Sequence, residues 1–437
     1  MKNKNSGQKL WEKAKKIIPG GNQLLSKRAE MFLPDGWPAY YKKAKGIEVT
    51  DLDGKKYLDF SLMGVGSCIL GYADPDINKA VKKAIDDGSM STLNCPEEVE
   101  LAEKLLALHP WPGMVRFART GGEANAIALR IARVYSGKDK VAFCGYHGWH
   151  DWYLSSNLAS DENLDGHLLP GLEPKGVPRG LLETALPFRY NHLEELEAIV
   201  KRHDIGVIFL EAIRHDEPEN NFLERVRKIA SRIGAVLIFD EVSSGFRDRL
   251  GGAYTRFGVE PDMVVYGKAL GNGFPITAIV GRKEIMDAAQ KTFISSTLWT
   301  ERIGPVAALA VMKKFKKENV ASYIKTIGAE IGKGWRELAK KHGLNIDVHG
   351  PEYVINFAFN YDNAQELKTL FIQEMLDLGF LSTNLVYVTF AHKKSHVKNY
   401  LKAVDKVFGI LKTAINKNDV KSRLRGPVAH TGFHRLT

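Results

Sequence analysis

The sequence predicts an α/β protein with a mainly parallel central sheet and a smaller α+β domain, on two observations. The chain has 437 residues, 44% of them hydrophobic and 26% charged, enough to bury a large core. Its middle alternates short β-rich runs with amphipathic helical stretches, the pattern of parallel strands covered by helices on both faces. The composition also argues against disorder, a disulfide mini-protein and a lone small binding module. Three segments are expected: 1–60 as the N-terminal part of a small domain, 61–310 as a large ligand-binding domain, and 311–437 as a C-terminal α+β domain.

Near the start, Leu10, Trp11, Ala14, Ile17 and Ile18 recur at helical spacing and Pro19-Gly20-Gly21 stops the run, which predicts a docking helix. Residues 45 to 60 read as a β-hairpin around the turn Asp51 to Gly54. Asp74 and Pro75 then open a helix whose stripe is Ile77, Val81, Ala84 and Ile85, and a second helix runs from Pro96 to His109. The core strands are Val141 to Cys144, Val207 to Leu210, Ala235 to Phe239, Met263 to Tyr266 and Ala278 to Gly281. A long helix from about 311, strands at Tyr353 to Phe359 and Leu385 to Phe390, and a helix from His396 to Ile415 complete the C-terminal lobe. No element is expected for the tail beyond Arg423.

The formal net charge is +11, which would suit a polyanionic partner, but the basic residues are dispersed. The densest group, Lys313, Lys314, Lys316 and Lys317, reads as the wet side of a helix whose apolar side carries Val311, Met312 and Phe315. No nucleic-acid partner is expected. Cys68, Cys95 and Cys144 are too few and too scattered for a disulfide framework or a zinc cluster, which suggests a reducing, cytoplasmic compartment. No run approaches the roughly 20 apolar residues of a membrane span, and no signal peptide is read at the N-terminus. A Walker loop is missing, and Gly64-Val65-Gly66 and Gly271-Asn272-Gly273 lack the third glycine of a dinucleotide fingerprint. His147, His150 and His215 lack a third ligand at metal-site spacing, so no metal is expected.

Ligands of such sheets sit at the carboxyl ends of the strands. Asp240 directly follows a buried strand, where an unpaired carboxylate would be costly. Lys268 follows the next strand inside the glycine-rich run Gly267 to Gly273, where a sheltered amine can lose its proton and attack a carbonyl. The two side chains alone read equally well as an ordinary ion pair. Arg119 to Ala126 adds a helix start behind small residues, an anion cradle suited to phosphate. Tyr146-His147-Gly148 adds an aromatic plate after another strand. A phosphate seat, a plate, a carboxylate and an amine are the four things that pyridoxal 5'-phosphate needs.

The runs Phe239 to Arg247 and Tyr266 to Pro275 closely resemble the signature of the class III aminotransferases. Ile18-Pro19-Gly20-Gly21, Leu70 to Pro75, Thr120 to Ala124 and Tyr146-His147-Gly148 resemble glutamate-1-semialdehyde aminomutases within that class, over roughly residues 15 to 415. The resemblance implies the aspartate-aminotransferase type of fold, fold type I, with Lys268 as the Schiff-base lysine and proton shuttle and Asp240 as partner of the pyridinium nitrogen. It implies Val242 against one ring face, Tyr146 on the other, and Gly121 and Gly122 on the phosphate. His147 and Glu211 are expected beside the cofactor. Thr297 resembles the threonine that reaches the phosphate from the second subunit of a homodimer.

The likeness breaks on the substrate side. The asparagine expected on the cofactor's ring hydroxyl is replaced within Glu211 to Asp216, leaving Asp216 or Arg214 as substitutes. The arginine expected on the substrate carboxylate is replaced within Gln23 to Arg28, where Lys27 or Arg28 binds an acid or is simply a surface basic pair. An intact cofactor set with an altered substrate side suggests an aminotransferase that moves an amino group from an amino acid donor to a separate carbonyl acceptor. The resemblance suggests a keto sugar of surface-carbohydrate biosynthesis as that acceptor. The alternatives are a glutamate-1-semialdehyde 2,1-aminomutase and, remotely, a catalytically silent binding protein on the same fold.

Overall fold

The computed structural model describes residues 5–167, 170–213 and 216–433, so Arg214 and His215 lie outside the described residues. The chain divides into two compact units, one made of residues 1–74 and 322–437 and the other of 75–321.

The first unit begins with the helix Ser6–Ile17. Its start is closed by Asn5 and Gln8, whose side chains each accept the other's backbone N–H at 2.8 and 3.1 Å. Trp11 and Ala14 are buried, but Leu10 and Ile17 are exposed, so the docking stripe is narrower than its sequence spacing implies. Strands β1 (Tyr41–Lys45), β2 (Glu48–Asp51) and β3 (Lys56–Phe60) form an antiparallel meander, with β2 and β3 paired as the hairpin pattern predicts. The unit continues beyond Phe60 because the chain turns back on itself. Gly46 and Tyr72 exchange backbone hydrogen bonds at 2.8 and 2.7 Å, which ties residues up to Asp74 to this unit.

The second unit carries seven strands: β4 (Met114–Ala118), β5 (Lys140–Cys144), β6 (Ala185–Pro187), β7 (Ile205–Glu211), β8 (Val236–Glu241), β9 (Met263–Tyr266) and β10 (Thr277–Gly281). Their order is β4-β10-β9-β8-β7-β5-β6, and β10 alone runs antiparallel to its neighbours. Two of these strands, β4 and β6, escaped the sequence reading. Only Ala118 of β4 is fully buried, and β6 is a three-residue edge strand ending in proline, which an edge tolerates. The helix Gly121–Ser136 covers one face, packing Ala124, Ile127, Ala128 and Ile131 against Phe143, Phe209, Ile238, Val265 and Ile279. The expected long helix from 311 is two helices, Ile303–Lys317 and Val320–His342, separated by Asn319 in the left-handed region at φ +47°. Val311, Met312 and Phe315 are buried and Lys313, Lys316 and Lys317 exposed, as a solvated lysine face requires, while the largely covered Lys314 pairs with Asp76 at 2.6 Å.

The first unit resumes with β11 (Ile346–His349), β12 (Val354–Phe359), β13 (Phe380–Ser382) and β14 (Leu385–Tyr387). β11, β12 and β14 form an antiparallel sheet, and β13 pairs in parallel with β3. The tail beyond Arg423 is held rather than loose: Ala429 N–H donates to Thr369 Oγ1 at 3.0 Å and His430 N–H to the Glu30 carbonyl at 2.7 Å.

Candidate active site

Four neighbouring parallel strands end side by side. Cys144 of β5 stands opposite Leu210 of β7, Glu211 opposite Asp240 of β8, and Asp240 opposite Val265 of β9. That row and the residues just past it, Gly145-Tyr146-His147, Glu211, Asp240 and Gly267-Lys268, therefore converge on one edge of the second unit, where an open α/β sheet binds its ligands.

Asp240 is 3% exposed and well partnered. Its Oδ2 accepts from Asn125 Nδ2 at 2.8 Å and faces His147 Nδ1 at 2.8 Å, and its Oδ1 accepts from the Val242 N–H at 2.9 Å. The other ring nitrogen of His147 faces the Cys144 carbonyl at 3.2 Å. A carbonyl can only accept, so the contact at Nε2 calls for a proton on that nitrogen. Phe209 stacks on the imidazole at 4.5 Å and fixes its plane. On Oδ1, one of two lone pairs has no partner among the described residues.

Lys268 sits at φ +41°, an uncommon conformation for a residue with a Cβ. Its Nζ donates to Ser243 Oγ at 2.6 Å. The ordinary ion pair with Asp240 does not form: the amine and the carboxylate are held by different partners. Val242 lies between their segments, and a Cβ at Gly267 or at Gly121 would fall 3.3 or 3.1 Å from its Cγ1.

Gly121 and Gly122 open the helix Gly121–Ser136 behind the cap residue Thr120. Thr120 Oγ1 accepts the Glu123 N–H, and the Glu123 carboxylate turns back to the N–H groups of Thr120 and Arg119 at 2.9 and 3.2 Å. The N–H groups of Gly121 and Gly122 are left without partners among the described residues, an anion seat at the positive end of the helix. Gly148, at φ +116°, lies against Gly122: a Cβ on it would come within 2.8 Å of the Gly122 Cα, so the two backbones touch only as glycines.

Tyr146 is half-exposed, its ring edge-on to Tyr153 at 6.0 Å. Burial, reinforced by the charges of Asp240 and Glu211, holds its hydroxyl above the usual tyrosine range. Glu211 accepts the Tyr146 N–H at 3.2 Å and so anchors the loop that carries the ring.

Behind Asp240, Glu241 is fully buried and accepts from Ser244 Oγ at 2.5 Å and from the N–H groups of Ala253 and Tyr254 at 3.0 and 2.8 Å. Burial outweighs these donors and pushes its carboxyl from 4.5 up to about 7. The folded chain therefore binds more protons than the unfolded chain between those values. The stability Glu241 contributes is full below pH ~4.5 and is lost as pH rises through ~7, amounting to about 3 kcal/mol. Thermal denaturation should show wild type losing stability from pH 5 to pH 8 relative to Glu241→Gln, and parallel curves would refute this assignment.

Asp216 is exposed. Thr297 lies in the exposed turn Thr297–Thr300. Lys27 and Arg28 belong to the other unit, Lys27 exposed and Arg28 half-buried with its guanidinium 5.8 Å from the Phe433 ring centre. Conversely, Asn125 and Ser243 were not singled out. An amide at 125, one turn after Gly121 on a helix otherwise lined by Ala and Ile, is a signal that could have found Asn125. Ser243 carries no local signal, because its use depends on where Lys268 folds.

The family model for class III aminotransferases matches residues 34–408. The chain belongs to the class III aminotransferases. It is 34% identical over 371 residues to the 3-aminobutyryl-CoA aminotransferase of Cloacimonas acidaminovorans, covering 83% of this chain and 85% of that protein. It is 32% identical over 417 residues to the glutamate-1-semialdehyde 2,1-aminomutase of Methanothrix thermoacetophila, covering 91% and 94%. Among solved structures, a transaminase with pyridoxal phosphate bound matches with a TM-score of 0.82 and 26% identity, over 93% of this chain and 97% of that one. An omega-transaminase from Sphaerobacter thermophilus matches with a TM-score of 0.82 and 24% identity, over 94% and 99%. This class III aminotransferase has the fold type I architecture of those enzymes and takes pyridoxal phosphate as its cofactor. Its residues fit that group: two unpartnered N–H groups face a phosphate seat, and Asp240 keeps one open acceptor position beside an amine that is not tied to it.

Proposed function

We propose that the protein transfers an amino group from an amino acid donor to a separate carbonyl acceptor, with Lys268 as the amine that engages the cofactor. The observation that carries this reading is that Asp240 and Lys268 end adjacent strands yet are held by different partners, so both remain available to one ligand. Bound pyridoxal phosphate supplies an aldehyde that carries the amino group and a protonated ring that accepts electrons.

Asp240 presents its open Oδ1 position to the ring nitrogen and keeps that nitrogen protonated, while His147 and Asn125 hold the carboxylate in place. Lys268 Nζ would take up the proton that leaves the substrate carbon and then give it back, as general base and then acid. Ser243 Oγ orients the amine between those positions. Gly121 and Gly122 anchor the phosphate, Val242 covers one ring face, and Tyr146 covers the other.

The active unit is a homodimer in this reading. Phe293, Leu93 and Leu298 are 82%, 80% and 63% exposed, and the last adjoins Thr297. A second copy covers these side chains and uses Thr297. The small number and wide sequence spacing of Cys68, Cys95 and Cys144 support a cytoplasmic location. Among the described residues no helix is long and apolar enough to cross a membrane.

Aminomutase activity is the second reading, favoured by the 32% likeness to the Methanothrix protein. Purified protein is charged with single amino acids, and its amino form is then offered keto sugars, 3-oxoacyl thioesters and glutamate semialdehyde. Turnover that needs both a donor and a distinct acceptor is expected. Conversion of glutamate semialdehyde without any second amino compound would overturn the transfer reading in favour of the aminomutase.

A further inference from the structure

We propose that His150 is a ligand of the cofactor's phosphate, its Nδ1 closing the seat that the Gly121 and Gly122 N–H groups open. The proposal rests on the cofactor binding at that seat. His150 Nδ1 is buried and has no hydrogen-bond partner among the described residues. It lies beside the seat: a Cβ built on Gly122 would fall 2.9 Å from Nδ1 and 2.8 Å from the adjoining Cε1. A buried ring nitrogen without a partner is costly, and an arriving anion removes that cost.

The ring is held without using its nitrogens. Trp149 stacks on it at 4.5 Å and 26°, and Gly148 and Gly122 leave space on the seat side. The His150 carbonyl accepts the N–H groups of Tyr153 and Leu154 at 2.9 and 3.2 Å, which ties the backbone at that point to the short helix Asp151–Leu154. Glu123, the nearest acid on the opposing helix, is turned away by its bonds to Arg119 and Thr120. The first turn thus offers two N–H donors and one imidazole edge to an incoming phosphate.

The test compares holoenzymes of wild type, H150F and H150N. Each is depleted with inorganic phosphate and refilled with pyridoxal phosphate or with pyridoxal, which lacks the phosphate. H150F keeps a ring against Trp149 without a donor, and H150N keeps a donor near the Nδ1 position. In H150F the dissociation constant for pyridoxal phosphate should rise about 10- to 100-fold while that for pyridoxal stays within about twofold, and H150N should recover part of the loss. The phosphorus resonance of the bound cofactor should move in H150F. Equal weakening toward both compounds, or no change toward either, overturns the proposal; should H150F not fold, H150A takes its place. A wild-type protein that takes up no cofactor would instead refute the assignment of the site.

Discussion

Lys268→Ala is expected to lower amino transfer by about 10³-fold or more, because the variant loses both the amine that engages the carbonyl and the group that moves the proton. The loss should appear in a single half-reaction with the amino donor, before any acceptor is added. Borohydride reduction of wild type should fix the cofactor covalently on the peptide that contains Lys268, and the variant should release it on denaturation. Stability should change little, since the hydrogen bond of Lys268 is to the Ser243 hydroxyl, which can turn to other partners. Normal turnover by the alanine variant would remove the basis of the proposed function. Ser243→Ala should cost far less, as it removes the orientation of the amine and not the amine itself.

Substitution of Asp240 should separate fold from chemistry. Asp240→Ala leaves His147 Nδ1 without its acceptor and Asn125 Nδ2 with the His147 carbonyl alone, in a fully buried setting, a destabilisation of about 3 to 5 kcal/mol. Asp240→Asn keeps the shape. Its carbonyl must face Asn125 and His147, which places its amide NH₂ against the Val242 N–H, two donors in contact at a cost of about 1 to 3 kcal/mol. Both variants should lose about 10³-fold in turnover, because neither keeps the ring nitrogen protonated. Denaturant unfolding and the donor half-reaction measure the two effects on the same samples. An asparagine variant with wild-type turnover would show that the carboxylate serves packing alone.

The rest of the site depends on contacts between distant segments. His147 binds Asp240 from 93 residues away, and Asn125 from 115 residues away. Neither partnership shows in local spacing, although each residue lies inside a motif legible in the sequence. The strand ends were legible because core strands such as Val236–Glu241 are buried throughout and apolar up to Phe239, so the polar residues that close them stand out. β4 and β6 were not, since a partly buried strand and a three-residue edge strand lack that contrast. The break at Asn319 was missed because both helices around it share one apolar period, and only the backbone turn separates them.

The amino-acid order by itself determined the alternating α/β architecture, the amine, the carboxylate and the glycine pair, because strand burial, helix capping and close backbone approach are local demands on residue type. The tertiary structure decided that Asp240 pairs with His147 and not with Lys268, that Glu241 is sealed behind the site, and that His150 turns a bare nitrogen toward the glycines. Those outcomes depend on which side chains distant segments bring within 3 Å of one another, and that distance is set by the packing of the sheet and its covering helix.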